Sequence, residues 1–246
     1  MSLTTVDFER IDLEPGDRVL DLGCGEGRHA ITAYLEAPVQ VLGIDLSAPD
    51  LATAVERAAQ FLRHDDDRQL SWIRASGLQL PFADASFDKV ICAEVLEHVP
   101  DYPGVLKEIR RVLKPGGLLA VSVPRFGPEW LCWRLSRAYH EVEGGHIRIF
   151  RSSQLRDAIE RQGFHCFHRH WAHGLHSPYW WLRCLFWSRG ASAWPVRTYH
   201  RLLVWDLMHK PRLTRVLDAL LNPVIGKSLV LYARRQPAPS TEQGTP

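Results

Sequence analysis

Over the first 125 residues, short β-branched or aliphatic runs alternate with longer amphipathic stretches, and turn signals separate them. That alternation constrains the fold more than any other feature. Strands joined by helix-length connections pair in parallel, and the helices must cover the faces of the sheet they create. The pattern predicts strands at about 17–22 (DRVLDL), 39–44 (VQVLGI), 70–75 (LSWIRA), 87–92 (FDKVIC) and 117–123 (GLLAVSV), with helices at about 27–36, 50–63 and 102–113. Pro15-Gly16 and Pro115-Gly116-Gly117 turn the chain into two of these strands, because proline fixes φ and glycine accepts positive φ. A further helix is predicted from an N-cap at Ser152-Ser153 to about 162, with Gly163 as its C-cap, followed by a strand at 164–170. KSLVLYARR, at 227–235, reads as the closing strand, and no internal repeat is visible.

Between the last two strands lie residues 172–226, far more chain than a hairpin needs, so this segment is predicted to be a folded insertion. Within it, YHRLLVWDLMHK and PRLTRVLDALL read as amphipathic helices broken at Pro211. The net charge of +2 conceals a segregation: residues 1–164 hold 19 Lys+Arg against 25 Asp+Glu, whereas residues 165–235 hold 11 against 2. The basic segment also carries six of the nine tryptophans and seven of the twelve histidines. With 46% hydrophobic and 24% charged residues, the chain is neither disordered, collagen-like nor a coiled coil. The tail from Gln236 (QPAPSTEQGTP) is polar and aromatic-free and is expected to be disordered. MSLTTVDFER lacks the basic start and apolar run of a signal peptide, and no run of about 18 uncharged apolar residues occurs, so the expected location is the cytoplasm. Cys24, Cys92, Cys132, Cys166 and Cys184 are odd in number and form no C-x-x-C pair, which predicts free thiols.

The strongest local signal is VLDLGCGEGRHA, a strand ending near Asp21 and then a glycine turn (Gly23, Cys24, Gly25) leading into a helix. A dinucleotide fingerprint would place a third glycine where Arg28 stands. A carboxylate such as Asp21 also repels a pyrophosphate and favours a cationic amino group. Asp45 ends the next strand, where an acid can accept both hydroxyls of a ribose, although it could instead cap the following helix, as Ser47 could. Two acids so placed bracket a nucleoside that carries positive charge.

Together with GIDLS, LPFADASFDKVICAEVLEHV and EIRRVLKPGGLLAVSVP, the glycine turn resembles the class I S-adenosylmethionine-dependent methyltransferases, over residues 17 to about 170 and the final strand. The resemblance implies a Rossmann-like α/β fold with a seven-stranded sheet, order 3-2-1-4-5-7-6 and strand 7 antiparallel. It implies a core of residues 1–171 and 227–235, with residues 172–226 as a helical cap between strands 6 and 7. The cofactor implied is S-adenosylmethionine, held by Asp21, Gly23, Cys24, Gly25, Asp45, Leu46, Ser76, Gly77, Leu78, Ala93 and Glu94. Of these, Asp21, Gly23 and Gly25 would face the methionine portion, Asp45 the ribose, and residues 75–78 the adenine. Ser76 departs from the usual acid of the third-strand loop, which shifts the expected adenine contacts to backbone at Gly77 and Leu78.

A sulfonium methyl is already activated, so transfer needs in-line positioning and removal of the acceptor's proton. His98 and His146 are the candidate bases. Glu94, Glu97 and His98 share a face if their stretch is helical, and could hold Mg²⁺; CAEVLEHVPD is similar to the same stretch in ubiquinone-type O-methyltransferases, some of which use a divalent ion. The alternative is one cofactor contact plus a solvated glutamate. His173 and His176 could form half of a metal site or serve as structural histidines. The expected acceptor is a small molecule, reacting at oxygen, with a glycosyl, lipid-linked or anionic portion. Peripheral contact with an anionic membrane and a homodimer are both compatible with the basic insertion. DNA is not an expected partner, since strand 4 lacks the [DN]-P-P-[FYW] element of base-amino methylation. An RNA methyltransferase, or a regulatory protein that binds the cofactor without catalysis, are the rival readings.

Overall fold

The computed structural model describes residues 4–62, 67–209 and 211–237. In chain order the elements are α1 (Phe8–Ile11), β1 (Arg18–Leu22), α2 (Arg28–Glu36), β2 (Gln40–Asp45), α3 (Ala48–Ala59), β3 (Gln69–Arg74), β4 (Phe87–Ala93), α4 (Tyr102–Val112) and β5 (Leu113–Pro124). They continue with α5 (Phe126–Leu135), α6 (Ala138–Glu141), α7 (Ser152–Arg161), β6 (Phe164–Ala172), α8 (His176–Leu185), α9 (Trp194–His209), α10 (Arg212–Ile225) and β7 (Ser228–Arg235). The seven strands form one sheet in the order β3-β2-β1-β4-β5-β7-β6. β7 runs antiparallel to both β5 and β6, while the pairs from β3 to β5 are parallel. This is a Rossmann-like sheet with the strand order and antiparallel β7 that the sequence resemblance implies.

Successive residues of a strand point to opposite faces, so each aliphatic run fills two cores. On one face Leu20, Val90, Cys92, Leu119 and Val121 pack against Leu106 and Ile109 of α4 and Leu155 and Ile159 of α7. On the other, Val19, Ile91, Leu118, Ala120 and Tyr232 pack against Ala30, Ala33 and Tyr34 of α2 and against Val6 and Ile11 at the N-terminus. Asp21, two residues after Val19, therefore points beneath α2. All five cysteines are buried free thiols.

Several boundaries differ from expectation. Pro115-Gly116-Gly117 lies inside β5, which begins at Leu113. α7 begins at Ser152 with Arg151 preceding it, and Arg151 donates its N–H to the Gln154 side chain. α9 and α10 meet at Pro211 as predicted, but α9 starts at Trp194 and α10 runs past Asn222 to Ile225. Among the described residues α1, α5, α6, α8 and a 3₁₀ helix at Trp187–Ser192 were not foreseen. α5 packs on α8, and a cluster of Cys132, Tyr139 and Cys184 with Trp133, Trp180, Trp181 and Trp187 joins them. The insertion at 172–226 thus packs against residues 126–141. Of the expected tail, residues 238–246 lie outside the described residues. Among the described residues no helix is long and apolar enough to cross a membrane.

Candidate active site

A cavity of about 410 Å³ opens at the C-terminal ends of β1, β2 and β4, where open α/β sheets bind ligands. Gly23, Asp45, Leu46, Ser76, Gly77, Leu78, Glu94 and His98 all line it. Gly23 and Cys24 both donate their N–H to Ile44 O, at 2.8 and 2.9 Å, and Gly25 N–H donates to Asp45 Oδ2 at 2.8 Å. The first turn after β1 therefore has no free N–H row for a phosphate, consistent with the absent third glycine. Gly23 has φ +70, and a Cβ there would meet Val95 Cγ2 at 2.3 Å, so only glycine fits. Asp45 does not cap α3. Ser47 does, accepting from Asp50 N–H, while Asp45 accepts from Gly25 and Ser47 N–H on separate oxygens. Each oxygen keeps a lone pair for a ribose hydroxyl.

Cys24, Gly25 and Ala93 lie beside this cavity without lining it, and Asp21 sits underneath. Asp21 is 1% exposed and accepts the Ala30 N–H at 2.9 Å, tying β1 to the first turn of α2. Its job in this structure is at the root of that helix.

The stretch after β4 is not helical. Glu94 has φ +58, and the chain turns through Val95–His98, with His98 N–H donating to Val95 O. Glu94 accepts instead from Ser122 Oγ at 2.9 Å, and so leaves the proposed trio with Glu97 and His98. His146 takes its place: single ligand atoms of Glu97, His98 and His146 lie within 4.8 Å of one another. The two imidazole rings stand edge to face, 4.9 Å between centroids. His146 Nδ1 lies 2.5 Å from Glu129 Oε1, a carboxylate only 2% exposed that also accepts from Trp133 Nε1 and Tyr139 Oη. A carboxylate can only accept, so Nδ1 carries a hydrogen, and in the neutral ring Nε2 then holds the lone pair. His98 Nδ1 likewise faces Gly145 O at 3.4 Å, and its Nε2 faces Glu97. Arg148 fastens this arrangement, donating to the carbonyls of Leu96, Val99 and Pro100 and packing over the Tyr102 ring.

Residues 20–121 match the family described as a methyltransferase domain. Over those residues the chain is similar to the class I S-adenosylmethionine-dependent methyltransferases. It is 40% identical over 112 residues to 27-O-demethylrifamycin SV methyltransferase of Amycolatopsis mediterranei, covering 46% of this chain and 40% of that protein. It is 42% identical over 113 residues to 2-phytyl-1,4-naphtoquinone methyltransferase of Synechococcus elongatus, covering 44% and 46%. The chain thus matches less than half the length of either relative. Its fold matches a solved S-adenosylmethionine-dependent methyltransferase of Methanosarcina mazei with a TM-score of 0.61 and 19% identity, covering 96% of this chain and 100% of that one.

Burial shapes the ionisation of this site. Glu97 is fully buried with neither carboxyl oxygen hydrogen-bonded, and burial, with the nearby Glu94 second, holds it well above the usual carboxylate range. Burial also pushes Glu129 up, but the hydrogen bond and charge of His146 outweigh it and the carboxyl sits below its ordinary value. His98 is lowered by burial and by His146. Sequence reasoning missed Glu129 and Arg148, because α5 shows only a weak amphipathic pattern and neither residue lies in a recognisable motif. His173 and His176 stand edge to face, 5.4 Å between ring centroids, with no third metal-ligating group among the described residues; His173 Nε2 lies 3.3 Å from Thr5 Oγ1, and burial lowers both histidines.

Asp21 yields a pH prediction. Burial pushes its carboxyl from 3.8 to about 7, against the Ala30 hydrogen bond and Arg28, with Asp45 adding to the rise. The folded chain therefore binds this proton more tightly than the unfolded one, and the group's contribution to stability falls as pH rises from about 4 to about 7. Asp21→Asn, which keeps an acceptor for Ala30, should match the wild type near pH 4 and gain a few kcal/mol over it at pH 8, at about 1.4 kcal/mol per pKa unit. Parallel melting curves of the two proteins across this range would contradict it.

Proposed function

We propose that the protein transfers the methyl group of S-adenosylmethionine to a hydroxyl oxygen of a bulky, largely apolar small molecule. The observation that carries this reading is the Glu129–His146 pair beside the cofactor cavity, which presents an imidazole Nε2 as a ready base. When bound, S-adenosylmethionine supplies a sulfonium-activated methyl group that leaves as its S–C bond breaks. Asp45 accepts the ribose hydroxyls, and the backbone at Gly77 and Leu78 meets the adenine. His146 takes the hydroxyl proton as the new O–C bond forms, and buried Glu129 holds the ring's tautomer and stabilises the imidazolium.

The acceptor class is supported by the aromatic wall next to His146. Tyr139 stands edge-on to His146 at 6.0 Å, Trp180 and Trp187 surround Tyr139, and Lys227 lies over Trp180. Tyr139 is itself buried, and the half-exposed faces of Trp180 and Trp187 are what would meet a large flat or lipid-linked body, with Lys227 available to an anionic or glycosyl portion. One relative is named for an O-demethylrifamycin and another for a phytyl-substituted naphthoquinone, in keeping with that acceptor class. Incubation with methyl-labelled cofactor and separate panels of hydroxylated lipophiles, amines and RNA tests the reading. Label should enter alkali-stable ethers of the first panel; label confined to amines or RNA overturns it.

A second reading is favoured by the two unpartnered, buried oxygens of Glu97. With one ring nitrogen each of His98 and His146 they fit a divalent cation, and Glu129 would orient the His146 ligand. One carboxylate with two imidazoles suits Mn²⁺, Fe²⁺ or Zn²⁺ better than Mg²⁺, which prefers oxygen donors. There the ion would supply Lewis acidity toward the acceptor hydroxyl. EDTA should then abolish turnover, with Mn²⁺ restoring it more effectively than Mg²⁺; full activity after dialysis against EDTA excludes the ion.

A further inference from the structure

α10 is amphipathic, yet the only fully buried residue among its fourteen is Thr214. Leu213, Leu217, Leu220 and Val224, at i, i+4, i+7 and i+11, form a stripe along the helix, and Leu213, Leu220 and Val224 are 70%, 66% and 70% exposed. Arg212 and Arg215 are exposed on the other flank. α9 repeats the mixture. Its inward residues are Val196 and Leu203, and opposite them Trp194, Arg197, Arg201, Trp205 and Met208 follow at intervals of three or four, all exposed. Apolar and cationic groups therefore alternate on surfaces that no element of the described fold covers.

The acidic residues of this segment do not neutralise it. Asp206 and Asp218 are the only carboxylates between residues 165 and 235. Asp206 accepts from Thr214 Oγ1, and Asp218 from Leu175 N–H and Asn222 Nδ2. A symmetric pairing of two copies through this face would set arginines against arginines with no free counter-charge. An anionic bilayer meets both demands: its phosphates take the guanidinium groups, its acyl boundary takes the leucine stripe, and indoles such as Trp194 and Trp205 belong at that boundary.

We propose that the outer faces of α9 and α10 dock the protein on an anionic lipid bilayer. The docking needs no turnover and stands apart from the methyl-acceptor reading. Co-sedimentation of the full chain with vesicles of phosphatidylcholine and phosphatidylglycerol, against phosphatidylcholine alone, reads it directly. The protein should bind the anionic vesicles and release in high salt. Each of Arg197→Gln, Arg201→Gln, Arg212→Gln and Arg215→Gln should weaken partitioning about fivefold at low salt. The triple change Leu213→Ser, Leu220→Ser, Val224→Ser should weaken it by about a hundredfold or more. S-adenosylmethionine binding, unchanged in every variant, reports that the fold is intact. Absence of binding to anionic vesicles, equal binding to phosphatidylcholine, or binding that ignores these substitutions overturns the proposal. So does a dimer that the triple change dissolves in a protein that leaves vesicles alone, which would make this face an interface between copies.

Discussion

His146→Ala should lower the turnover number by about 10² to 10⁴ while S-adenosylmethionine affinity stays near the wild-type value. With Nδ1 bound to Glu129, Nε2 is the nitrogen left to take the acceptor's proton, so its removal leaves catalysis to positioning alone. Glu129→Gln is the sharper variant, because it preserves shape while replacing an obligate acceptor with an amide that can also donate. The ring is then free to take the other tautomer, with Nε2 protonated and unable to act as a base. The fall should approach that of His146→Ala, and the double variant should be little worse than either single one, since the two residues act as a unit. Trp133 and Tyr139 also donate to Glu129, so melting temperatures must accompany the rates. Single-turnover rates within a factor of about two of wild type in His146→Ala would remove the base from the mechanism.

Asp45→Ala should weaken S-adenosylmethionine binding by about ten- to a hundredfold by calorimetry, the loss expected of charged hydrogen bonds at roughly 1.5 to 3 kcal/mol. Asp45 has two separable duties. It holds Gly25 and Ser47 by their N–H groups, and it lines the cavity at the end of β2. Asp45→Asn separates them, since an amide oxygen can keep one backbone bond while its nitrogen cannot accept from a hydroxyl. If the residue serves only the glycine turn, the alanine variant will melt lower yet bind the cofactor as the wild type does.

The alternation of strand and helix, the glycine turn after β1 and the acid ending β2 were legible because each is local. Periodicity marks which face of an element is buried, and Gly23 is marked because a side chain there would strike Val95. The same locality misled at Glu94, Glu97 and His98. Their spacing suits one helical face, but the left-handed backbone at Glu94 turns its carboxylate toward Ser122 of the neighbouring strand. What completes the cluster comes from elsewhere. Glu129 and His146 are 17 residues apart and meet across the loop that follows α6, which is pinned to the turn after β4 by Ile147 N–H on Glu97 O and by Arg148. No pattern within FGPEWLCWRL or EGGHIRIF announces that meeting. By itself the sequence determined which segments bury a face and where a nucleoside with a positive charge could sit. The partners of His146, and the apolar stripe that α10 leaves uncovered, were decided only by tertiary packing, because side-chain pairing across long separations depends on how distant segments seat against one another and not on the period of any one of them.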